Sequence, residues 1–270
     1  MLVACLGDVM LDVVVDLEHA LVTDDDTPAR ITIGAGGQAA NVATWVSALG
    51  GRARLLGPRG TDASGRLVAD ALGRHGVELV GAETRATGAV VSMVADGTRS
   101  MASDPGDLGW LAAVRPGPWL DGVDWLFVSG YALLRAPDPQ HLVLIAAAAR
   151  EQGSRVAVDL ASASMVARFG ADAFASLCRS LQPSVVFANE SELATSDAGF
   201  GVDAVLVVKR GAAGACFVVD GVAEERAPVD GTVVDVTGAG DALAAGYLLG
   251  GPDLAMVAAG RCVARRGAQP

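Results

Sequence analysis

The sequence predicts an α/β protein built on a mainly parallel sheet, and three features of its 270 residues carry that reading. Short apolar segments recur along the chain. Helical stretches that end in glycine lie between them, and several apolar segments lack the alternation of a half-exposed strand. Strands and helices that alternate in this way build parallel sheets through crossover connections.

The predicted strands are Leu2–Leu6, Leu126–Ser129, Val156–Val158, Val185–Ala188, Ala204–Val208 and Cys216–Val219. Ala39–Leu49 reads as a helix stopped by Gly50 and Gly51, Ser64–Arg74 as one followed by Gly76, and Pro139–Gln152 as one stopped by Gly153. Two segments break the rhythm. Ala29–Ile33 sets Arg30 and Thr32 opposite Ile31 and Ile33, and Ala89–Ala95 joins Thr98–Met101 through Asp96–Gly97, a dipeptide suited to a tight hairpin. Both read as half-exposed antiparallel strands. Pieces from about 12–35 and 84–102 are expected to pack together as a small β lid on a single domain spanning 1–270.

With 51% hydrophobic and 19% charged residues, the chain is not disordered and can bury a large core. Apolar runs such as Ala204–Val208 fall far short of the ~18 residues of a membrane span. Met1 leads into an apolar segment without a basic leader, so a cytoplasmic protein with no membrane partner is expected. Cys5, Cys178, Cys216 and Cys262 show no metal spacing and read as buried thiols of a reducing compartment. A net charge of −11 repels a phosphate backbone, which removes nucleic acid from the expected partners. Among the 20 basic residues only Lys209 is a lysine. An anionic ligand therefore has to be held locally, by backbone amides, one or two cations or a metal.

In an open parallel sheet, ligands bind beyond the C-terminal ends of the strands. Asp8 and Asp12, Ser129, Asp159, Asn189, Lys209 and Thr237 all follow predicted strands or apolar runs. One such residue is usually a cap or turn former; the recurrence points to a shared site.

Four motifs sharpen it. Asp235-Val236-Thr237-Gly238-Ala239-Gly240-Asp241 leads into the apolar stretch Ala242–Leu249. Small residues leave the backbone uncovered there, and the helix that follows aims unpaired N–H groups and a positive dipole end outward, a place for an oxyanion or a transferring phosphoryl group. Asp241 would accept a proton from an attacking hydroxyl at the same spot; a helix start with an acidic first turn is the plainer reading. In Gly34-Ala35-Gly36-Gly37-Gln38-Ala39-Ala40-Asn41, paired glycines admit a ligand close to the backbone and Asn41 faces it with an amide. Gly34, Gly36 and Ala39 also fit a loose dinucleotide pattern, but Leu56 stands where that pattern wants an acid, which argues against an NAD(P)-binding oxidoreductase. Asn189-Glu190-Ser191-Glu192 offers oxygen ligands suited to hydrated Mg²⁺, or simply an acidic first turn. Lys209-Arg210-Gly211-Ala212-Ala213-Gly214 suits phosphates, or a solvated β-turn. No P-loop and no G-x-S-x-G elbow occurs, and His19, His75 and His141 are too scattered for a triad or a metal.

Together these motifs resemble the ribokinase (PfkB-type) carbohydrate kinases. The likeness rests on Gly36–Ala43, Asp235–Asp241, Asn189-x-x-Glu192, the Gly211–Gly214 turn, the opening Gly7–Asp12 and the closing Gly267-Ala268-Gln269-Pro270, in family order and across essentially the whole chain. It implies a three-layer α/β/α sandwich with a small β lid, and transfer of the ATP γ-phosphoryl group to a hydroxyl of a small carbohydrate. By position, Asp241 is implied as catalytic base, with Gly238, Ala239 and Gly240 as anion hole. Asp12, Gly36, Gly37 and Asn41 would hold the substrate hydroxyls. Asn189, Lys209, Gly211, Gly214 and Thr237 would lie on the nucleotide side, Asn189 and Glu192 around Mg²⁺, and Asp235 at a loop for K⁺ or another monovalent cation. Asp159-Leu160-Ala161 departs from the Asp-Pro-Asn-like run of many sugar kinases, and the chain stops at Pro270 where many relatives add a helix. A nucleoside kinase using the same machinery, and a catalytically silent sugar sensor, remain alternatives. The lid strands offer an edge for a homodimer.

Overall fold

The computed structural model describes residues 1–95, 98–196 and 203–270. In chain order its elements are β1 (Leu2–Leu6), β2 (Met10–Leu17), β3 (Ala29–Gly36), α1 (Gln38–Ala48), β4 (Arg52–Leu56), β5 (Arg59–Gly60), α2 (Ala63–Arg74), β6 (Glu78–Val80), β7 (Glu83–Thr84), β8 (Gly88–Ala95), β9 (Thr98–Asp104) and α3 (Gly109–Ala113). They continue as β10 (Trp125–Ser129), α4 (Gly130–Arg135), α5 (Gln140–Glu151), β11 (Arg155–Asp159), α6 (Ala163–Phe169), α7 (Ala171–Ser180), β12 (Val185–Asn189), α8 (Glu190–Ser196), β13 (Val205–Lys209), β14 (Ala215–Val219), β15 (Val222–Arg226) and α9 (Ala239–Val263).

The main sheet has nine strands in the order β15-β14-β13-β12-β11-β10-β1-β4-β6. From β6 to β13 neighbours run parallel, whereas β14 and β15 pair antiparallel. The reversal at Cys216–Val219 follows from the short Arg210–Gly214 link, since a parallel return needs a dozen or more residues. Asp220 and Gly221 then turn β14 into β15 with φ of +50° and +78°, the left-handed pair that a two-residue hairpin requires.

β1 shows why its sequence is apolar throughout. Val3 and Cys5 enter the core cluster formed with α1, α2 and α9, while Leu2, Ala4 and Leu6 enter the cluster formed with α3, α4, α5 and α7. Both faces of the strand are covered, giving three layers, helix–sheet–helix. α9 is long and apolar enough by composition to cross a bilayer, with mean hydropathy 1.4. It is broken at Gly250 and Gly251, which leave helical geometry ahead of Pro252, and it packs against α1 inside the first cluster.

A second sheet of four strands, β3-β2-β8-β9, stands beside the first. β2 pairs antiparallel with β3 and parallel with β8, so segments far apart in sequence meet in one sheet. The Asp96–Gly97 turn lies outside the described residues. Gly36, the last residue of β3, leads through Gly37 into α1, and Asp8 follows β1, so both sheets converge on one rim.

Candidate active site

Register places the ends of the central strands in a row: Ser129 beside Asp159, Asp159 beside Phe187, and Asn189 beside Lys209. Of the polar residues expected at strand ends, Ser129, Asp159, Asn189 and Lys209 therefore share one rim, whereas Asp12 lies inside β2 of the second sheet and Thr237 in the loop before α9. α9 starts above that rim. Gly238 begins the helix with φ +75° and no side-chain cap, and a Cβ there would lie 2.6 Å from Ala268. Only glycine tolerates both the left-handed backbone and that approach. No side chain caps this helix start, where Ala239 N donates to the Val236 carbonyl at 3.3 Å, and a helix N-terminus without a side-chain cap favours an anion.

Asp241 lies in the first turn. Asn41 Nδ2 donates to its Oδ2 at 2.8 Å, while Asn41 Oδ1 is buried without a hydrogen-bond partner. Burial raises the Asp241 carboxyl to about 7, with the Asp159 charge adding to the shift and Asn41 and Lys209 opposing it. A carboxyl poised there can hold or release a proton near neutral pH.

A second group of these residues lies at the junction of β1, β3 and α1. Gly37 has φ +100°, and a Cβ on it would meet the Asp8 carbonyl oxygen at 2.5 Å. Asp12 on β2 packs against Gly36, whose Cβ would come within 2.7 Å of the Asp12 side chain. Gln38 N donates to Asp8 Oδ2 at 3.3 Å, and Ser129 Oγ lies 2.6 Å from Gln38 Oε1 and 3.1 Å from Asp8 Oδ1. Sequence reasoning did not single out Gln38 as a site residue. It stands inside the Gly36–Asn41 motif, and the strand-end positions of Asp8 and Ser129 were the signal for its partners.

On the other side Asn189 and Glu192 cap one another. Asn189 N and Nδ2 donate to the Glu192 carboxylate at 2.8 and 2.7 Å, and Glu192 N donates to Asn189 Oδ1 at 2.8 Å. Burial raises Glu192 to about 7, with Lys209 opposing and Asp159 adding. Both Glu192 oxygens are engaged, and among the described residues no three His, Cys, Asp or Glu side chains cluster as a metal cage. These donors fit Mg²⁺ only as an ion that keeps its waters and shares phosphate oxygens.

The geometry also gives the remaining expected residues their present partners. Lys209, expected toward the nucleotide, donates from Nζ to Asp159 Oδ1 at 2.6 Å. Asp235, expected at a cation loop, accepts through Oδ1 from Thr237 N and Oγ1 at 2.9 and 2.6 Å, and through Oδ2 from Gly267 N at 2.9 Å. Its carboxylate staples the helix-start loop to the C-terminal segment. Gly214 has φ +86° and lies against Arg226–Pro228, so the turn after β13 dictates it; a Cβ on Gly211 would meet open space. Thr237 is 7% exposed and held by the same staple. Trp45 Nε1 donates to Ala268 O at 2.8 Å and Cys262 Sγ to Thr237 O at 3.2 Å, fixing the wall behind Gly238.

A helix–sheet–helix sandwich whose uncapped helix start adjoins a half-buried carboxylate defines a ribokinase-like small-molecule kinase. The sequence profile of pfkB family carbohydrate kinases matches residues 1–252, and the chain belongs to that family. It is accordingly a phosphotransferase with an alcohol group as acceptor. The adenosine kinase of Sinorhizobium meliloti superimposes with a TM-score of 0.84 at 24% identity, covering 100% of this chain and 95% of that one. A probable sugar kinase from Rhizobium etli CFN 42 gives 0.84 at 22%, covering 100% and 94%. An uncharacterised sugar kinase from Pyrococcus horikoshii, solved in complex with ATP, gives 0.84 at 20%, covering 100% and 95%. No curated protein sequence matches the chain.

Proposed function

We propose that the protein is an ATP- and Mg²⁺-dependent kinase of a small sugar, with Asp241 as the base. The observation that carries this reading is the half-buried Asp241 carboxyl, hydrogen-bonded to Asn41 at the start of an uncapped helix. Asp12, Gly36, Gly37 and Asn41 hold the acceptor hydroxyls, and the unpartnered Asn41 Oδ1 accepts from one of them. Asp241 takes the proton of the hydroxyl that attacks. The amides of Gly238, Ala239 and Gly240 receive the charge that develops on the transferring group, while Thr237 and the Asp235 staple keep that loop in place. Asn189 and Glu192 organise the waters of Mg²⁺, which when bound neutralises phosphate charge.

The four-stranded sheet serves as the lid. Its edge strand exposes Ile31 and Ile33, which suits a homodimer through the lid. Closing it over the acceptor excludes water from competing for the phosphoryl group. ATP dependence and four buried free cysteines suit a cytoplasmic setting.

A nucleoside acceptor is the second reading. Trp110 and Tyr131 line a small depression beside Asp8, which sets two aromatic rings next to the turn after β1. ADP release measured across ribose, fructose, ketodeoxygluconate, adenosine and pseudouridine tests both. Turnover on a sugar supports the first reading, turnover on a nucleoside alone replaces it with the second, and silence across the panel with ATP–Mg²⁺ binding intact favours a sensor.

A further inference from the structure

We propose that the Asp159–Lys209 ion pair is a positioning device for the transfer step: paired across β12, its lysine braces Gly240 at the start of α9, and its buried carboxylate sets the electrostatic surroundings of Asp241. The inference rests on Asp241 being the base.

The pair is built across a strand. Asp159 ends β11 and Lys209 ends β13, so the lysine reaches over the end of β12 to make its 2.6 Å contact. Asp159 is 0% exposed, and its Oδ2 has no hydrogen-bond partner, so the carboxylate charge is only half compensated by local donors. Lys209 Cδ and Nζ lie 3.1 and 3.3 Å from where a Cβ on Gly240 would sit, which puts the ammonium stem directly against the proposed anion hole. Desolvation works against the Lys209 charge, but Asp159, Glu192 and Asp241 outweigh it and raise its pKa. Lys209 is the one lysine among 20 basic residues. A thin stem with a compact charge fits beside Gly240 where a broad planar guanidinium would crowd it.

Packing alone does not account for the pair. A buried ion pair is weak evidence for stability, since apolar residues of similar volume often replace one at no loss. Its position accounts for it better. The groups that act on Asp241 are Asp159 from β11, Lys209 from β13 and Asp8 from the turn after β1 through their charges, and Asn41 from α1 through its hydrogen bond, while Asp241 in turn acts on Cys262 of α9. Asp159 is the charge that acts most strongly on Asp241, in the direction that strengthens a base; burial raises the pKa of Asp159 itself, and the Lys209 ammonium opposes that rise.

The test is the dependence of kcat/KM on pH for the parent, Asp159→Asn and the double variant Asp159→Leu/Lys209→Met, each with its melting transition recorded. Asp159→Asn is expected to move the acidic limb down by on the order of one pH unit, because it removes a negative neighbour and leaves the ammonium. The double variant, chosen because apolar replacement of the pair should still fold, is expected to lose tenfold or more in kcat with a smaller downward shift. Lys209→Arg keeps the charge, so its limb should stay put while kcat falls from crowding at Gly240. A limb unmoved in folded Asp159→Asn, or a double variant with the parental profile and kcat, overturns the proposal. Should Asp159→Asn not fold, the double variant decides alone. Failure of the underlying reading looks different: Asp241→Asn would then keep its turnover, whatever the pair does.

Discussion

Asn41 and Asp241, 200 residues apart in sequence, meet through a 2.8 Å hydrogen bond that joins the first helix to the last. The contact ties the proposed acceptor site to the proposed base, and Asn41 keeps a second, unpartnered oxygen for a substrate hydroxyl. Asn41→Ala removes both. The expected result is a loss of about 10- to 100-fold in kcat/KM, the size of one or two hydrogen bonds to charged or buried groups. Because Asn41 holds the Asp241 pKa down, the acidic limb should also move up. Steady-state kinetics across pH checks both.

The Asp241 carboxyl sits at about 7, pushed there first by burial. Below that pH the base is protonated, so kcat/KM should fall on the acid side with a midpoint near 7. Glu192 titrates near the same value. Glu192→Gln is therefore expected to retain the limb and Asp241→Asn to abolish it, which assigns the titration.

The same shift has a stability consequence with a definite sign. The folded pKa of Asp241 lies above the ordinary carboxylate value, so the native state holds an extra proton between about pH 4 and 7. This contribution to stability is fully present at the acid end of the window and is lost as pH rises through the folded pKa. Asp241→Asn should thus melt higher than the parent at pH 8 by a few degrees, and no higher at pH 4. Thermal melts of the ligand-free proteins at the two pH values read it directly.

Gly238→Ala places a methyl group where Ala268 already stands, on a backbone at φ +75°. Strain of roughly 1–2 kcal/mol and a displaced helix start are expected. The outcome is a kcat reduced at least tenfold with a lower Tm, whereas Gly211→Ala, which meets open space, should have a far smaller effect on kcat.

Asp235→Ala removes the acceptor of three hydrogen bonds, from Thr237 N, Thr237 Oγ1 and Gly267 N. A loss of about 1–3 kcal/mol in stability is expected, together with a raised KM for ATP as the loop ahead of α9 loosens. Chemical denaturation and nucleotide titration measure the two effects.

The central strands and the approach to α9 were legible because their signals are local. β10, β11, β12 and β13 are apolar runs ended by a polar residue, β1 is apolar throughout with Asp8 two residues beyond it, and Gly238 with Asp241 lies within one short motif. What escaped depends on distance across the fold. The Asp159–Lys209 pair spans a strand that intervenes in space, and the Asp235–Gly267 staple joins residues 32 apart that no periodicity connects. Lys209 beside two glycines resembled a phosphate-binding turn; only the proximity of β11 shows where the ammonium goes. The antiparallel course of β14 was readable in principle from the five-residue link before it, and its apolar content masked that cue. β2 lies between β3 and β8, a pairing set by tertiary packing of segments far apart in sequence.

The most direct measurement is the turnover of Asp241→Asn in an ADP-release assay with ATP, Mg²⁺ and the acceptor that the parent uses, alongside its affinity for ATP. With the carboxylate as base, kcat falls by roughly 10²–10⁴ while ATP binding stays close to the parent's. An Asn variant that turns over at near-parental rate would contradict the assignment of Asp241, and the mechanism built on it with it.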